Sequence, residues 1–297
     1  LNRVQKEIVN QSGVCLSWGM DFKENPIKRI WSLISIVVTI AKMNFRKFLQ
    51  YRLANVSGFL VNVFWFVVEA NIMIALFSSR GQTFNYTVVQ AVTYVGLAEA
   101  LLMVSGISGA LGEVDLDGDI RSGQFIVDLI RPVDYFVYIL SLELGRVVYY
   151  LFFRAVPLLA VLFIFFDWAP PTSIWTIFLF IFSVLGGIII TNCLHFSALV
   201  LGFWLNSSRG ILEVVNVMAM LFSGLLLPIA FFPEWLAKIV VYLPFAGQFY
   251  IPISIFLGNE PRAMRLLAVE MGWIVVAITL ARILFRMAMK KISVQGG

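Results

Sequence analysis

A single histidine and two cysteines among 297 residues remove most of the side-chain chemistry by which enzymes are recognised. Cys15 lies in a polar stretch and Cys193 in an apolar run, so they define neither a disulfide framework nor a thiolate metal site. With His195 alone there is no paired-histidine metal motif such as H-E-x-x-H, no second histidine to serve as base or orienter, and no G-x-S-x-G elbow either. The phosphate loop G-x-x-x-x-G-K-[ST] is also missing, so the chain is not expected to be an enzyme or to hydrolyse nucleotide itself. Charge is scarce too, at 13% of residues, about half of what soluble domains carry.

What is abundant is apolar. Hydrophobic residues make up 60% of the chain and 27 residues are Phe, which points to an integral membrane protein built from helices. The formal charge of +5 does not suggest nucleic acid, because the cations flank apolar runs instead of forming one soluble patch.

Six runs are long enough to be read as spans, near Val56 to Leu76, Val88 to Leu111, Val147 to Phe166, Ile174 to Leu201, Ile211 to Ala230 and Leu266 to Phe285. Arg3, Lys6, Lys23, Lys28, Arg29, Lys42, Arg46, Lys47 and Arg52 precede the first, and Arg282, Arg286, Lys290 and Lys291 close the last. The 79–86 connection has only Arg80, and the 167–173 connection has no cation. The positive-inside rule therefore expects both termini in the cytoplasm, which an even number of spans satisfies.

Ahead of the spans, residues 1–26 are polar and are expected to form a cytosolic extension, not a signal peptide. Over 27–52, Lys28, Ser32, Ser35, Thr39, Lys42 and Arg46 recur at spacings of three and four, opposite Trp31, Leu33, Ile34, Ile36, Val37 and Ile40. That pattern predicts an amphipathic helix lying in the membrane interface. A short extra span is the alternative, against which the apolar run from Ile30 to Ala41 falls well below the ~20 residues that a crossing requires.

Between the last two spans, residues 228–261 are apolar but interrupted by Pro228, Pro233, Pro244, Gly247, Pro252 and Gly258. Such a segment is expected to form short helices re-entering from the outer face, with Trp235, Tyr242 and Tyr250 at the interface. A seventh span over 240–257 would place the basic C-terminus, with its tail 291–297, outside. The body of the protein, 53–290, thus reads as one all-α transmembrane domain of six spans.

The loop 112–134 is the polar island in this body. Glu113, Asp115, Asp117, Gly118 and Asp119 follow part of an EF-hand loop, but Gln124 replaces the closing Glu and Arg121 occupies a ligand position, so an acidic surface loop is the better reading. After it, Phe125, Ile126, Leu129 and Ile130 form an apolar stripe at helical spacing, with Arg121, Gln124, Asp128 and Arg131 elsewhere, and Pro132 ends the helix. A short helix of this kind can dock in a partner's groove, Phe125 and Ile126 anchoring it and Asp128 and Arg131 setting its orientation.

Polar groups inside spans are functional candidates by default. They are Glu69, Glu99, Arg154, Asn192 and His195. An interhelical ion pair of Arg154 with Glu69 or Glu99 is the favoured reading, with a proton or substrate path as the other. Glu213 and Glu270 read as lying near span ends within reach of interfacial water, and Gly186 with Gly187 as a site of close helix approach.

Two stretches resemble the ABC-2 type membrane permeases. One is Ile120, Gly123, Leu129, Ile130, Arg131, Pro132 and Val133. The other is Phe222, Ser223, Gly224, Pro228, Phe232, Pro233, Trp235, Leu243, Pro244, Phe245, Pro252, Phe256, Leu257 and Gly258. The resemblance covers roughly residues 27 to 290, and the extension before it is longer than the family leads one to expect. It implies the membrane half of an ABC exporter in a bacterial inner membrane, moving a small or amphiphilic substrate. Two separately encoded ATPase subunits would carry ATP and Mg, and a second permease chain, identical or related, would complete the assembly. Arg121, Gly123, Phe125, Ile126, Asp128, Leu129, Arg131 and Pro132 would then belong to the coupling helix, and 27–52 to the connecting helix at the membrane surface. An ion-driven secondary transporter is the other expectation, motivated by Glu69, Glu99 and Arg154.

Overall fold

A computed structural model describes residues 26–50, 52–80, 86–106, 118–119, 122, 124–131, 133–205, 208–258 and 263–291. The chain is a helical bundle. Its elements in order are α1 (Pro26–Gln50), α2 (Arg52–Arg80), α3 (Val88–Ser105), α4 (Gln124–Ile130), α5 (Tyr135–Tyr150), a π-helical segment (Leu151–Ala155), α6 (Val156–Phe165), α7 (Ile174–Leu205), α8 (Arg209–Phe222), α9 (Glu234–Val240), α10 (Tyr250–Leu257) and α11 (Ala263–Lys291). Among the described residues, five stretches are long and apolar enough to cross a membrane: Asn55–Phe77, Val88–Ser105, Tyr135–Phe165, Ile174–Leu205 and Ala263–Lys290.

The remaining expected span, Ile211 to Ala230, is shorter as a helix. α8 has 14 residues, about 21 Å at 1.5 Å per residue, against a hydrocarbon core of about 30 Å. It stops where Gly224 takes a left-handed φ of 85°, a conformation that glycine adopts without the Cβ penalty. Tyr94 of α3 donates its hydroxyl to the Gly224 carbonyl at 2.7 Å, and Tyr250 N donates to the Ser223 carbonyl at 3.0 Å. The break is therefore tied to both α3 and α10.

Beyond it the prolines set the pattern. Pro228 precedes the 3-10 turn Ile229–Phe231, Pro233 precedes α9, Pro244 opens the turn Pro244–Gln248, and Pro252 lies in the first turn of α10. A proline is tolerated in a first turn because the N–H it lacks has no partner within the helix there. No helix of crossing length occupies 240–257.

α3 is the axis of the bundle: most of its residues are buried, whereas few in the Asn55–Phe77 span are. In lipid there is little hydrophobic drive to bring helices together, so close approach over small residues matters more. α3 meets this with Ala91, Gly96, Ala98 and Ala100, and a Cβ on Gly96 would lie 2.8 Å from the Leu162 side chain. α2 runs antiparallel beside it, as the Asn62 to Met103 side-chain bond near the far ends of the pair requires.

The third span is not one regular helix. Pro157 cannot donate to the carbonyl four residues back and its ring crowds that turn, and the backbone widens into the π-helical segment Leu151–Ala155 immediately ahead of it. Arg154 sits on this widened turn.

α1 is not among the helices apolar enough to cross. It lies along α5 through Ala41, Asn44, Phe45 and Phe48: Asn44 Nδ2 donates to the Leu142 carbonyl at 2.7 Å, Phe48 stacks on Tyr149 at 5.5 Å, and Gly145 leaves room for the Ala41 carbonyl. Trp31, Ile34, Val38 and Met43 are left exposed on its other side.

Candidate functional site

The surface helix α4 has two faces. Phe125, Asp128 and Leu129 are turned inward, and Ile126, Val127 and Ile130 are exposed. This corrects the expectation for Phe125. It is 2% exposed, with its ring edge-on to Tyr135 at 5.1 Å and tilted against Phe203 at 5.6 Å. The ring anchors α4 to its own bundle, and Leu129 does the same, so any partner would meet Ile126, Val127 and Ile130. Arg121, Gly123 and Pro132 lie outside the described residues, as do Glu113, Asp115 and Asp117 of the acidic loop.

Below α4 is an aromatic seat made by three helices. Tyr135 of α5 stacks on Phe285 of α11 at 5.7 Å, and Phe196 of α7 packs against Phe136 at 5.0 Å and Phe285 at 5.6 Å. Such pairs each contribute about 0.5–1.5 kcal/mol beyond the area they bury. Asp128 accepts from Gln124 at 3.2 Å and pairs with Arg131 at 2.8 Å, and the Arg131 guanidinium lies 4.4 Å from the centre of the Tyr138 ring. Asp134 caps α5 by accepting from Val137 N and approaches Arg282 of α11 at 3.7 Å. α4 thus rests on a cluster that α5, α7 and α11 build together.

Sequence reasoning passed over the pair Glu143 and Arg146, although Glu and Arg at i and i+3 on a helix are a readable signal. Both side chains are buried and their atoms approach to 2.7 Å. Arg146 also donates to the carbonyls of Met103 at 3.4 Å and Val104 at 3.1 Å. Those belong to the last turn of α3, where helix carbonyls have no partner of their own, and Gly106 caps the same end in a left-handed conformation. Arg146 thus fastens the end of α3, from which the chain leaves toward α4, to α5.

The intramembrane polar residues do not form the expected ion pair. Arg154 Nη2 donates to Asn55 Oδ1 at 3.3 Å, its guanidinium lies 4.6 Å from the Tyr150 ring centre, and Met103 Sδ is 4.0 Å away. Gly58 makes room for it, since a Cβ there would come 2.6 Å from Arg154 Nη2. Asn55 in turn donates to the Phe48 carbonyl at 3.0 Å, closing the end of α1. Glu69 of α2 and Glu99 of α3 are close enough to interact electrostatically, Glu99 buried and Glu69 half-buried. The physical reason for the difference is direction: the π-helical turn aims Arg154 toward the start of α2, away from its middle.

His195 and Asn192 are buried on α7. His195 Nε2 shares a hydrogen bond with Asn216 Oδ1 of α8 at 2.9 Å, and Asn192 Nδ2 returns to the Ile188 carbonyl at 2.9 Å. His195 links two helices, as a polar residue between helices should. Glu270 departs from its expected place near interfacial water. It is 1% exposed, because α11 begins at Ala263 and carries it two turns into the bundle. Ser183 donates to Glu270 Oε2 at 2.6 Å, and the carboxylate lies over Gly186 and Gly247. Gly187, for its part, faces the Gly247 carbonyl, so the glycine pair does permit a close approach, there between α7 and the turn Pro244–Gln248.

Among the described residues no three His, Cys, Asp or Glu side chains gather as a metal site would require. Residues 63–296 match the protein family described as ABC-2 family transporter protein. No curated protein sequence matches the chain.

Proposed function

The chain belongs to the ABC-2 transporter family, which makes it a multi-pass membrane permease of an ABC transporter, and from that premise we propose that it is the permease half of an ATP-driven exporter. In this reading two separate ATPase subunits bind ATP and Mg, a second permease chain completes the pathway, and a small or amphiphilic compound leaves the cytoplasm of a bacterial cell. Both termini and α4 face the cytoplasm, α1 lies in the inner interface of the plasma membrane, and 228–258 folds back into the outer interface with α8 as the sixth, shortened crossing.

The observation that supports this best is the build of α4. Its inner face is locked on an aromatic seat shared by α5, α7 and α11, while Ile126, Val127 and Ile130 stay exposed. Apolar side chains gathered on one face of a short surface helix outside the lipid suit a partner's hydrophobic groove. A nucleotide-binding subunit seated there would drive three helices at once.

The test is purification of the chain from its own membranes in mild detergent with identification of bound proteins, followed by reconstitution. A phosphate-loop ATPase should accompany the chain, and transport in proteoliposomes should require ATP. Transport by the chain alone under an ion gradient would replace this reading with the ion-driven one and direct attention to Glu69 and Glu99.

A further inference from the structure

At the end of the bundle opposite α4, where α9 approaches the start of α11, lies a half-open cavity of about 260 Å³. Its position follows from the helix directions. α7 ends at Leu205 near α4 through Phe203, α8 leads away from that end, and α11 returns to it at Phe285.

The cavity has two kinds of wall. Ile229, Val241 and Leu266 present apolar surface, and Glu234, Lys238 and Arg265 stand at its edge. Lys238 Nζ lies 2.6 Å from Glu234 Oε1, and that hydrogen bond with the lysine charge holds the Glu234 carboxyl below the usual carboxylate range. Glu234 is thus matched by Lys238, whose ammonium keeps two further N–H donors. Arg265 has no ion-pair partner among the described residues. Among the described residues, the cavity therefore carries one uncompensated positive charge beside an apolar wall.

That combination selects its ligand. An inorganic anion would meet Arg265 and leave the apolar wall uncovered, while a neutral lipid would cover the wall and gain nothing from the cations, which stay solvated. Only a molecule with an anionic head and an apolar body matches both. The volume sets the extent of the contact: complete ligand pockets hold about 300–1,000 Å³, so this one takes a headgroup and the first few methylenes, with the rest of the chain in lipid.

We propose that this cavity binds the anionic head of an amphiphile, a phosphate or carboxylate on an alkyl chain, with Arg265 and Lys238 on the charge and Ile229, Val241 and Leu266 on the adjoining carbons. The exporter reading supplies the leaflet, the outer one, and binding itself does not depend on that reading.

The experiment uses the full chain purified in a neutral maltoside detergent and titrated calorimetrically with dodecyl phosphate. Saturable binding of one molecule per chain is expected, at least tenfold weaker in Arg265→Gln, abolished in Ala237→Phe, which fills the cavity from its apolar side, and unchanged in Arg286→Gln at the opposite end of the bundle. Inorganic phosphate should not bind measurably. Arg265 is exposed, so its substitution leaves the fold intact and decides the matter even if Ala237→Phe misfolds. Equal affinity of the original chain and Arg265→Gln, or equal binding of inorganic phosphate, would overturn the proposal. A repeat in phosphatidylcholine nanodiscs with and without phosphatidylglycerol separates two sources. Competition by phosphatidylglycerol assigns the site to a membrane lipid, and undiminished dodecyl phosphate binding assigns it to a single-chain amphiphile.

Discussion

Arg146 Nη2 donates to the carbonyl of Val104 at 3.1 Å, across 42 positions of sequence. This contact joins the end of α3 to α5 on either side of the loop that carries α4. With Glu143 on its Nε at 2.7 Å, the guanidinium is compensated in the interior, and removing one member of such a pair costs about 3–5 kcal/mol because the other is left buried and unmatched.

Glu143→Ala should therefore lower the thermal midpoint in detergent by more than Glu143→Leu combined with Arg146→Met, which removes both charges together. Size-exclusion chromatography after heating measures this. A double variant that melts no higher than Glu143→Ala would show that the two residues do not act as a pair.

Asn55 and the two intramembrane carboxylates should behave oppositely. Asn55→Ala strands the Phe48 carbonyl and removes the amide acceptor of Arg154, a loss of about 1–3 kcal/mol for each buried group left without a partner. Glu69→Gln and Glu99→Gln break no ion pair with Arg154 and should leave the midpoint unchanged or raise it. A midpoint drop in either glutamine variant equal to that of Asn55→Ala would restore the ion pair expected from sequence.

Two glycines give a contrast of packing. A Cβ on Gly187 would run into the backbone carbonyl of Gly247, whereas one on Gly272 meets nothing within 4 Å. Gly187→Leu should fail to yield folded protein. Gly272→Ala should raise stability by up to about 1 kcal/mol, the helix preference of Ala over Gly. The yield of monodisperse protein checks the first, and the thermal midpoint checks the second.

Much of this arrangement was legible in the residues. Long apolar runs announced the spans, and the prolines of 228–258 announced the short helices, because a missing N–H acts locally wherever it occurs. What sequence left open depended on distant partners. Phe125 and Ile126 are adjacent and apolar, and only the aromatic seat from α5, α7 and α11 determines which of them is buried. Arg154 misses the carboxylates because Pro157 reshapes the turn that carries it, a change of direction that helical periodicity does not encode. Glu270 was misplaced for a simpler reason: its depth is counted from the first residue of α11, and element boundaries are the least readable feature of a sequence. Among the described residues five helices have full crossing length, and α8, the expected sixth span, stops just before Gly224, whose left-handed turn is stabilised by the hydroxyl of Tyr94, 130 positions away.

The central claim is that the exposed face of α4 receives a nucleotide-binding subunit. Its most direct test compares Ile126→Asp with Phe125→Ala in one co-purification experiment. Ile126→Asp should leave the thermal midpoint of the chain unchanged and release the ATPase. Phe125→Ala should first lower stability, by about 3–5 kcal/mol for a buried ring. An ATPase retained at full stoichiometry by a chain with Asp at position 126, and Asp at 127 and 130 as well, would contradict the account.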